Sequence, residues 1–177
     1  MISKELVSKI KEFQWINEYR LFHDEYLGNH YEILLMPRQW SFEVIEAKLP
    51  GSVWNKGKNP YFCQDSENYY GRKKYAENVT GAYYANRLAA AEYLGRIRRQ
   101  ASVLVFRESR KEYFAPCGVG ILREVSRSAM QKRHESFATL KEAINAMQAR
   151  LHLPVSNFSS RSRLLSEVKQ QRTLIDF

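Results

Sequence analysis

The chain has 177 residues, of which 44% are hydrophobic and 27% charged, so it carries enough apolar surface for the core of one globular domain. Lys and Arg outnumber Asp and Glu by 28 to 19, and the resulting formal charge of +9 favours a polyanion such as DNA or RNA as partner. The cysteines Cys63 and Cys117 form no CxxC pair, which argues against a disulfide framework and a cysteine zinc site. No apolar run approaches the roughly 20 residues of a membrane span, and no secretory signal is recognisable. We therefore expect a cytoplasmic, nucleoid-associated protein without metal or cofactor.

The first part of the chain predicts two helices, a strand and a long loop. A helix capped by Ser3 has apolar residues at helical spacing that continue as far as Phe22. The short apolar run 31–36, closed by a proline, is typical of a buried strand. A second helix is predicted over 41–49 and a loop over 51–72; because long loops in compact domains are uncommon and often functional, this loop is a candidate site.

The next part predicts the longest helix and two strands. Residues 75–99 show apolar stripes at helical spacing and several small alanines that permit close packing. The β-branched run 102–106 predicts a central strand, and a further strand is predicted over 113–122, where Pro116 and two glycines indicate a bulge or a close backbone approach.

The last part begins with the best-defined helix. Thr139 and Glu142 have the spacing of a capping box, and apolar residues follow at helical spacing as far as Leu151. After Pro154 the composition shifts to Ser, Arg and Gln, which predicts a flexible basic tail, 154–177, behind a single domain of residues 1–153. The expected fold class is α+β, or mixed α/β, with a small sheet near residues 31, 102 and 114 covered by helices near 3, 75 and 139.

The chain ends in the spacing Gln-x-x-Leu-x-x-Phe, which defines a peptide that binds a ring-shaped sliding clamp. In one 3₁₀ turn, residues three apart eclipse, so Leu174 and Phe177 would project together as an apolar plug, with Ile175 in the same turn. Gln171 offers amide donors and an acceptor to a polar pocket beside that plug. So loose a pattern also arises by chance, but a terminal position on a basic tail favours the clamp-binding reading.

Two groups of residues combine cations with aromatic rings or with a helix end. Rings interleaved with cations stack on unpaired bases and neutralise phosphates, although tyrosines of a solvated loop could equally pack on the core. Cations at the end of a helix complement its dipole, which alone could explain the second group. The predicted DNA-binding residues are Tyr69, Tyr70, Arg72, Lys73 and Lys74, with Tyr75 beside them, and Arg96, Arg98 and Arg99 at the end of the long helix.

Charged pairs at predicted strand ends raise the alternative of an enzyme. A carboxylate beside an arginine could act as a base or orient a substrate, but ion pairs that hold a fold together look the same in a sequence. The chain has no GxSxG, P-loop or GxGxxG motif. The weak catalytic candidates are Tyr84, Arg87, Glu108, Arg123 and Glu124.

An ordered series of segments resembles the archaeal Nre family of DNA-repair proteins, specifically its C-terminal half. The segments are GNHYEILLMP at 28–37, WSFE at 40–43, PGSVW at 50–54, GRKKYAE at 71–77, GAYYANRL at 81–88, VLVFRE at 103–108, PCGV at 116–119 and LRE at 122–124. The resemblance covers 22–151 and resumes at the terminal peptide, which that family also carries. Members are usually longer, with an N-terminal half bearing a cysteine zinc motif that is absent here. The resemblance implies a role in DNA-damage repair together with the sliding clamp, PCNA, and supplies no reaction.

Three hypotheses follow from the sequence. The leading hypothesis is a DNA-repair factor that binds the clamp by its C-terminal peptide and DNA by its basic surface. The second is an enzyme that modifies nucleic acid or a nucleotide in a pocket around Tyr84, Arg87, Glu108 and Arg123. The third is an adaptor without DNA affinity, which predicts no salt-dependent binding to DNA.

Overall fold

The computed structural model describes residues 2–114 and 117–175, with side chains for 3–114 and 117–170. The helices in the described residues are α1 (Ile2–Ile10), α2 (Gly81–Ile97), α3 (Gly118–Gln131), α4 (Leu140–Gln148), α5 (Val155–Ser159) and α6 (Arg163–Ile175). The strands are β1 (Tyr19–Tyr26), β2 (Asn29–Met36), β3 (Ser41–Lys48), β4 (Tyr61–Glu67), β5 (Ser102–Ser109) and β6 (Glu135–Phe137). The predicted α+β class is confirmed.

All six strands form one mixed sheet in the order β4-β3-β5-β2-β1-β6. Strands β3 and β5 run parallel, and every other neighbouring pair is antiparallel. Each residue of β2 and of β5 is buried, because these strands lie inside the sheet and both of its faces are covered by helices.

One layer of helices covers each face of the sheet. Successive side chains along a strand point alternately into the two cores between the sheet and these layers. Val103 and Val105 of β5 face the core beneath α1, α2 and α3, whereas Leu104 and Phe106 face the core beneath α4, α5 and α6. The molecule is therefore a three-layer sandwich with two apolar cores. No helix in the described part of the chain has the length and apolar character needed to cross a membrane.

Several predicted elements are confirmed. The runs 31–36 and 102–106 are the inner strands β2 and β5, and the long helix is present as α2. The capping box is complete, since the backbone N–H of Glu142 donates to Thr139 Oγ1 at 3.3 Å and the N–H of Thr139 donates to the Glu142 carboxylate at 3.0 Å.

The predicted helix over 41–49 is wrong, because this segment is strand β3. Its apolar residues alternate between the two cores: Phe42 and Val44 face one, and Ile45 faces the other. The buried carboxylates of Glu43 and Glu46 interrupt the apolar run, so the alternation is hidden in a sequence where charged residues are assumed to face water.

Two further boundaries are corrected. The predicted strand over 113–122 is wrong, since helix α3 begins at Gly118, whose φ of 72° only glycine adopts readily. The first helix ends at Ile10, and strand β1 occupies the end of the segment predicted to be helical up to Phe22. The predicted loop 51–72 contains strand β4.

The segment 154–177 differs from the expected flexible tail over most of the described part. Helices α5 and α6 place Phe158, Leu164, Leu165 and Val168 in the core beneath α4, each no more than 6% exposed. The carboxylate of Glu43 accepts the N–H groups of residues 163 and 164 at 2.9 and 3.2 Å, which fixes the start of α6 on the sheet. The domain therefore continues to Val168.

Candidate nucleic-acid interface

A cleft of about 620 Å³ opens between α1, the first half of α2 and the segment 70–75. Residues of α1 form one wall, Tyr84 and Arg87 project from α2, and Glu67 lies at the end of β4. We call this cavity the tyrosine cleft. It contains four of the predicted DNA-binding residues, Tyr70, Arg72, Lys73 and Lys74, and the catalytic candidates Tyr84 and Arg87.

The lining of the tyrosine cleft is strongly cationic. Among the described residues that line it, six are Lys or Arg and one, Glu67, is a carboxylate. Glu67 is already paired with Arg87, so its charge is compensated inside the protein. The remaining lining cations are Lys4, Lys11, Arg72, Lys73 and Lys74. Such a concave, cationic surface raises the local concentration of a polyanion.

Tyrosine rings border the cleft beside these cations. Tyr70 is 91% exposed and Tyr75 is 61% exposed. The Tyr75 ring packs on Tyr84 at a centroid distance of 4.8 Å, and the Lys11 ammonium lies 4.8 Å above the ring of Tyr69. Rings and cations therefore share one surface, which is the combination found where proteins bind the bases and phosphates of nucleic acids.

Arg72 holds the segment 70–75 in place. Its guanidinium donates to the carbonyl oxygens of Ser66, Lys74 and Tyr75 at 2.8 to 3.3 Å, and lies 3.1 Å from the carboxylate of Asp65. These contacts use most of its donors, so Arg72 positions the loop. Lys73 and Lys74, which are exposed, remain the cations that this loop presents to solvent.

The floor of the cleft is a buried network around Glu67. The carboxylate accepts hydrogen bonds from Trp40 Nε1 at 2.9 Å, from the Tyr83 hydroxyl at 3.1 Å and from Arg87 Nε at 2.8 Å. Burial and the charge of Glu67 raise the pKa of Tyr83, so its hydroxyl stays protonated and keeps donating. Nη1 of Arg87 also donates to the Ser3 hydroxyl, which joins α1 to α2.

The arginines at the end of α2 are exposed and lie outside the cleft lining. The guanidinium of Arg96 lies 5.5 Å from the Tyr93 ring, and that of Arg98 lies 5.8 Å from the Phe13 ring. Arg99 donates to the carbonyl oxygen of Arg98. Phe13 follows Lys11 by two residues, so Arg98 contacts the segment that comes directly after α1.

The structure does not assemble the pocket proposed for an enzyme, and that prediction is corrected. Tyr84 and Arg87 project from α2 into the tyrosine cleft, on the face of the sheet that α1 and α2 cover. Glu108 points to the opposite face of the sheet, where it binds Arg110 at 2.8 Å and accepts the N–H groups of residues 152 and 153. Arg123 and Glu124 are exposed on α3, where they pair with each other. The strand-end charges of β5 therefore hold the fold together.

The clamp-binding candidates fall where side chains are not described. The backbone of α6 includes Gln171, Leu174 and Ile175, and Phe177 lies outside the described residues. Their binding role stays a prediction. Within the described part of the chain, no group of His, Cys, Asp and Glu side chains is arranged to hold a metal ion.

Sequence reasoning missed the α1 wall of the cleft. Lys4 lies in α1, and Lys11 follows the last residue of that helix, seven positions further along the chain. This spacing is visible in the sequence, but nothing there indicates that α1 packs beside the loop some 60 residues further on. Glu67 was also missed, because one carboxylate before a tyrosine-rich loop carries no distinctive signal.

The fold and the cleft define a three-layer α+β domain with a basic, tyrosine-rich surface suited to a polyanion. The chain belongs to the archaeal Nre family: residues 67–177 match the family model "Archaeal Nre, C-terminal", and residues 1–55 match "Archaeal Nre, N-terminal". The resemblance seen in the sequence was assigned only to the family's C-terminal half, so the match to the N-terminal model extends it.

Three relatives align with most of the chain. It is 36% identical over 176 residues to DNA repair protein NreB of Archaeoglobus fulgidus, covering 99% of this chain and 44% of that protein. It is 33% identical to DNA repair protein NreA of Haloferax volcanii, covering 97% of this chain and 41% of the relative. With DNA repair protein NreA of A. fulgidus the identity is 34%, over 85% of this chain and 38% of the relative. The chain thus spans less than half the length of these relatives. No solved structure matches it.

Proposed function

We propose that this chain acts in DNA repair, contacts DNA through the tyrosine cleft and binds the sliding clamp PCNA through its C-terminal peptide. The observation that carries the proposal is the cleft itself, where Lys4 of α1, Lys11 after that helix and the lysines of the loop after β4 lie beside exposed tyrosines. The names of the three relatives, all DNA repair proteins, support the same biological setting.

The cations of the cleft are suited to phosphate contacts. Lys73 and Lys74 are exposed, and no described carboxylate pairs with either. Each lysine that neutralises a phosphate releases condensed counterions, so binding weakens as the salt concentration rises. The ion pairs elsewhere in the molecule, such as that of Lys132 with Asp24 at 2.6 Å, leave less charge available to a ligand.

The clamp-binding part of the proposal depends on the terminal peptide. Gln171, Leu174 and Phe177 have the spacing of clamp ligands, and Ile175 lies in the same turn. Tethering to a ring that encircles DNA would raise the local concentration of the cleft at its ligand, so each contact could be weak. An adaptor without DNA affinity could bind the clamp in the same way, so the DNA contact is what distinguishes the two hypotheses.

A salt series with lysine variants tests the DNA contact. In fluorescence anisotropy with a labelled oligonucleotide, the double variant Lys73→Gln/Lys74→Gln should reduce the slope of log Kd against log salt by about 1 to 2. The matched control, Lys111→Gln/Lys141→Gln, removes the same charge from exposed positions outside the cleft and should keep the wild-type slope. Equal slopes for the two double variants, or no binding by the wild type at low salt, would contradict the proposal.

A further inference from the structure

The tyrosine cleft offers open aromatic faces. Tyr75 is 61% exposed and packs one side of its ring on Tyr84, with the planes tilted by 32°. Tyr70, which is 91% exposed, stands at the rim with its ring edge-to-face against Tyr69. In a duplex the faces of each base are covered by the neighbouring base pairs. An exposed tyrosine ring can therefore stack only on a base that has left the helix or belongs to a single strand.

The size of the cleft supports the same conclusion. Its volume of about 620 Å³ falls in the range of pockets that enclose small molecules, roughly 300 to 1,000 Å³. A nucleotide fits such a space, whereas a double helix could touch only its rim. Lys4 and Lys11 on one wall and Lys73 and Lys74 on the other can follow the sugar-phosphate backbone on either side of that nucleotide.

Arg87 provides a buried donor at the floor of the cleft. The residue is 7% exposed and lines the cavity. Its Nε donates to Glu67 and its Nη1 donates to Ser3, but its Nη2 makes no hydrogen bond to any residue that the structure describes. A guanidinium has five N–H donors in a planar array, so Nη2 of Arg87 can donate to an acceptor atom of a ligand that enters the cleft.

We infer that the tyrosine cleft binds an unpaired nucleotide of DNA, with its base stacked on Tyr75 and one of its acceptor atoms at Nη2 of Arg87. This inference rests on the proposed DNA contact and specifies that the cleft binds unpaired DNA. It assigns the lysines to phosphates and the tyrosines to the base, so the two kinds of residue have separable effects on binding. No bond is made or broken in this step.

The test compares a single-stranded oligonucleotide with a duplex of the same sequence at one salt concentration, again by anisotropy. Wild-type protein should bind the single strand about tenfold more tightly, because stacking operates only there. Tyr75→Leu, which retains an apolar contact with Tyr84, should weaken single-strand binding about tenfold and leave duplex binding and the salt slope unchanged. Tyr61→Leu is the matched control: Tyr61 is 57% exposed and lies near a lysine, Lys48, but outside the cleft.

The outcomes separate this inference from the proposed function. Equal affinity for single strand and duplex, or a Tyr75→Leu variant that binds like wild type while the lysine variants still reduce the salt slope, would overturn the inference and leave the DNA contact standing. Absence of salt-dependent binding to either oligonucleotide would overturn both. A urea unfolding curve of Tyr75→Leu that matches wild type shows that any loss of affinity arises in the cleft.

Discussion

Buried carboxylates on the strands act as acceptors for backbone and cationic groups. Glu43 accepts N–H groups at the start of α6, and Glu108 accepts those of residues 152 and 153. Asp65 accepts the N–H groups of residues 78 and 79 at 3.0 and 2.7 Å, ahead of α2. Glu67 accepts hydrogen bonds from Trp40, Tyr83 and Arg87 at the floor of the cleft. Because these acids are used internally, the acidic part of the composition contributes little to the cleft surface.

Replacing one buried carboxylate should reveal how much the cleft floor depends on it. Glu67→Gln keeps the shape of the side chain but leaves the buried Arg87 charge without its partner, so the free energy of unfolding should fall by about 3 kcal/mol. The measurement is urea denaturation at neutral pH. In the control variant Glu124→Gln, the side chain replaced is 63% exposed, and a change below about 1 kcal/mol is expected. Similar losses of unfolding free energy in both variants would show that the Glu67–Arg87 pair contributes no more to stability than an exposed ion pair does.

At the scale of elements, α5 and α6 complete the second layer of the sandwich. Phe158 stacks on Phe106 of β5 at 4.8 Å and meets Phe62 of β4 edge-to-face at 5.6 Å. Ser162 Oγ donates to Glu43 at 2.5 Å and accepts the N–H of Leu165 at 3.1 Å, so the strand and the helix start share one capping arrangement. These helices cover a sheet face that would otherwise be exposed to water.

A pair of truncations tests that assignment. Deleting 154–177 removes Phe158, Leu164, Leu165 and Val168, whose burial contributes about 6 to 12 kcal/mol, as much as the whole stability of a typical domain. The expected result is loss of the cooperative thermal transition seen by circular dichroism. Deleting only 171–177 should leave Tm within about 2 °C of wild type, because the four core residues remain. A cooperative transition at the wild-type Tm in the longer truncation would contradict a structural role for α5 and α6.

At the scale of the whole molecule, the proposed clamp contact and the cleft lie on separate parts of the chain. The cleft is formed by α1, α2 and the loop after β4. The proposed clamp-binding residues Gln171, Leu174 and Ile175 belong to the last turns of α6, and α6 packs on the opposite face of the sheet from α1 and α2. An arrangement of this kind would allow the domain to engage the clamp and DNA at once, with the clamp contact raising the occupancy of the cleft.

Substitution of the terminal aromatic tests the tether. Phe177→Ala should abolish capture of the chain by immobilised archaeal PCNA, because an aromatic anchor contributes most of the affinity of such a peptide, and should leave the thermal melt and oligonucleotide binding unchanged. Asp176→Ala alters a position that the spacing leaves open and should be captured like wild type. Undiminished capture of Phe177→Ala would refute the clamp contact without affecting the DNA contact.

The sequence by itself determined the elements whose signals are local. The β-branched run of β5 and the capping box of α4 depend on neighbouring residues only, and both are confirmed. The tyrosines and lysines of the 70–75 segment were predicted from sequence to bind DNA, because stacking and phosphate neutralisation are properties of the side chains themselves, and this stays a prediction.

Only the tertiary structure decided which charges are buried and which surfaces meet. The strand β3 was read as a helix because Glu43 and Glu46 are buried against partners 61 to 121 residues away, and no local pattern reveals a distant partner. The same separation hid Lys4 and Lys11, which reach the cleft because α1 packs on α2. Solvation of a charge depends on everything folded around it, so burial, and with it the composition of a site, is settled by long-range packing.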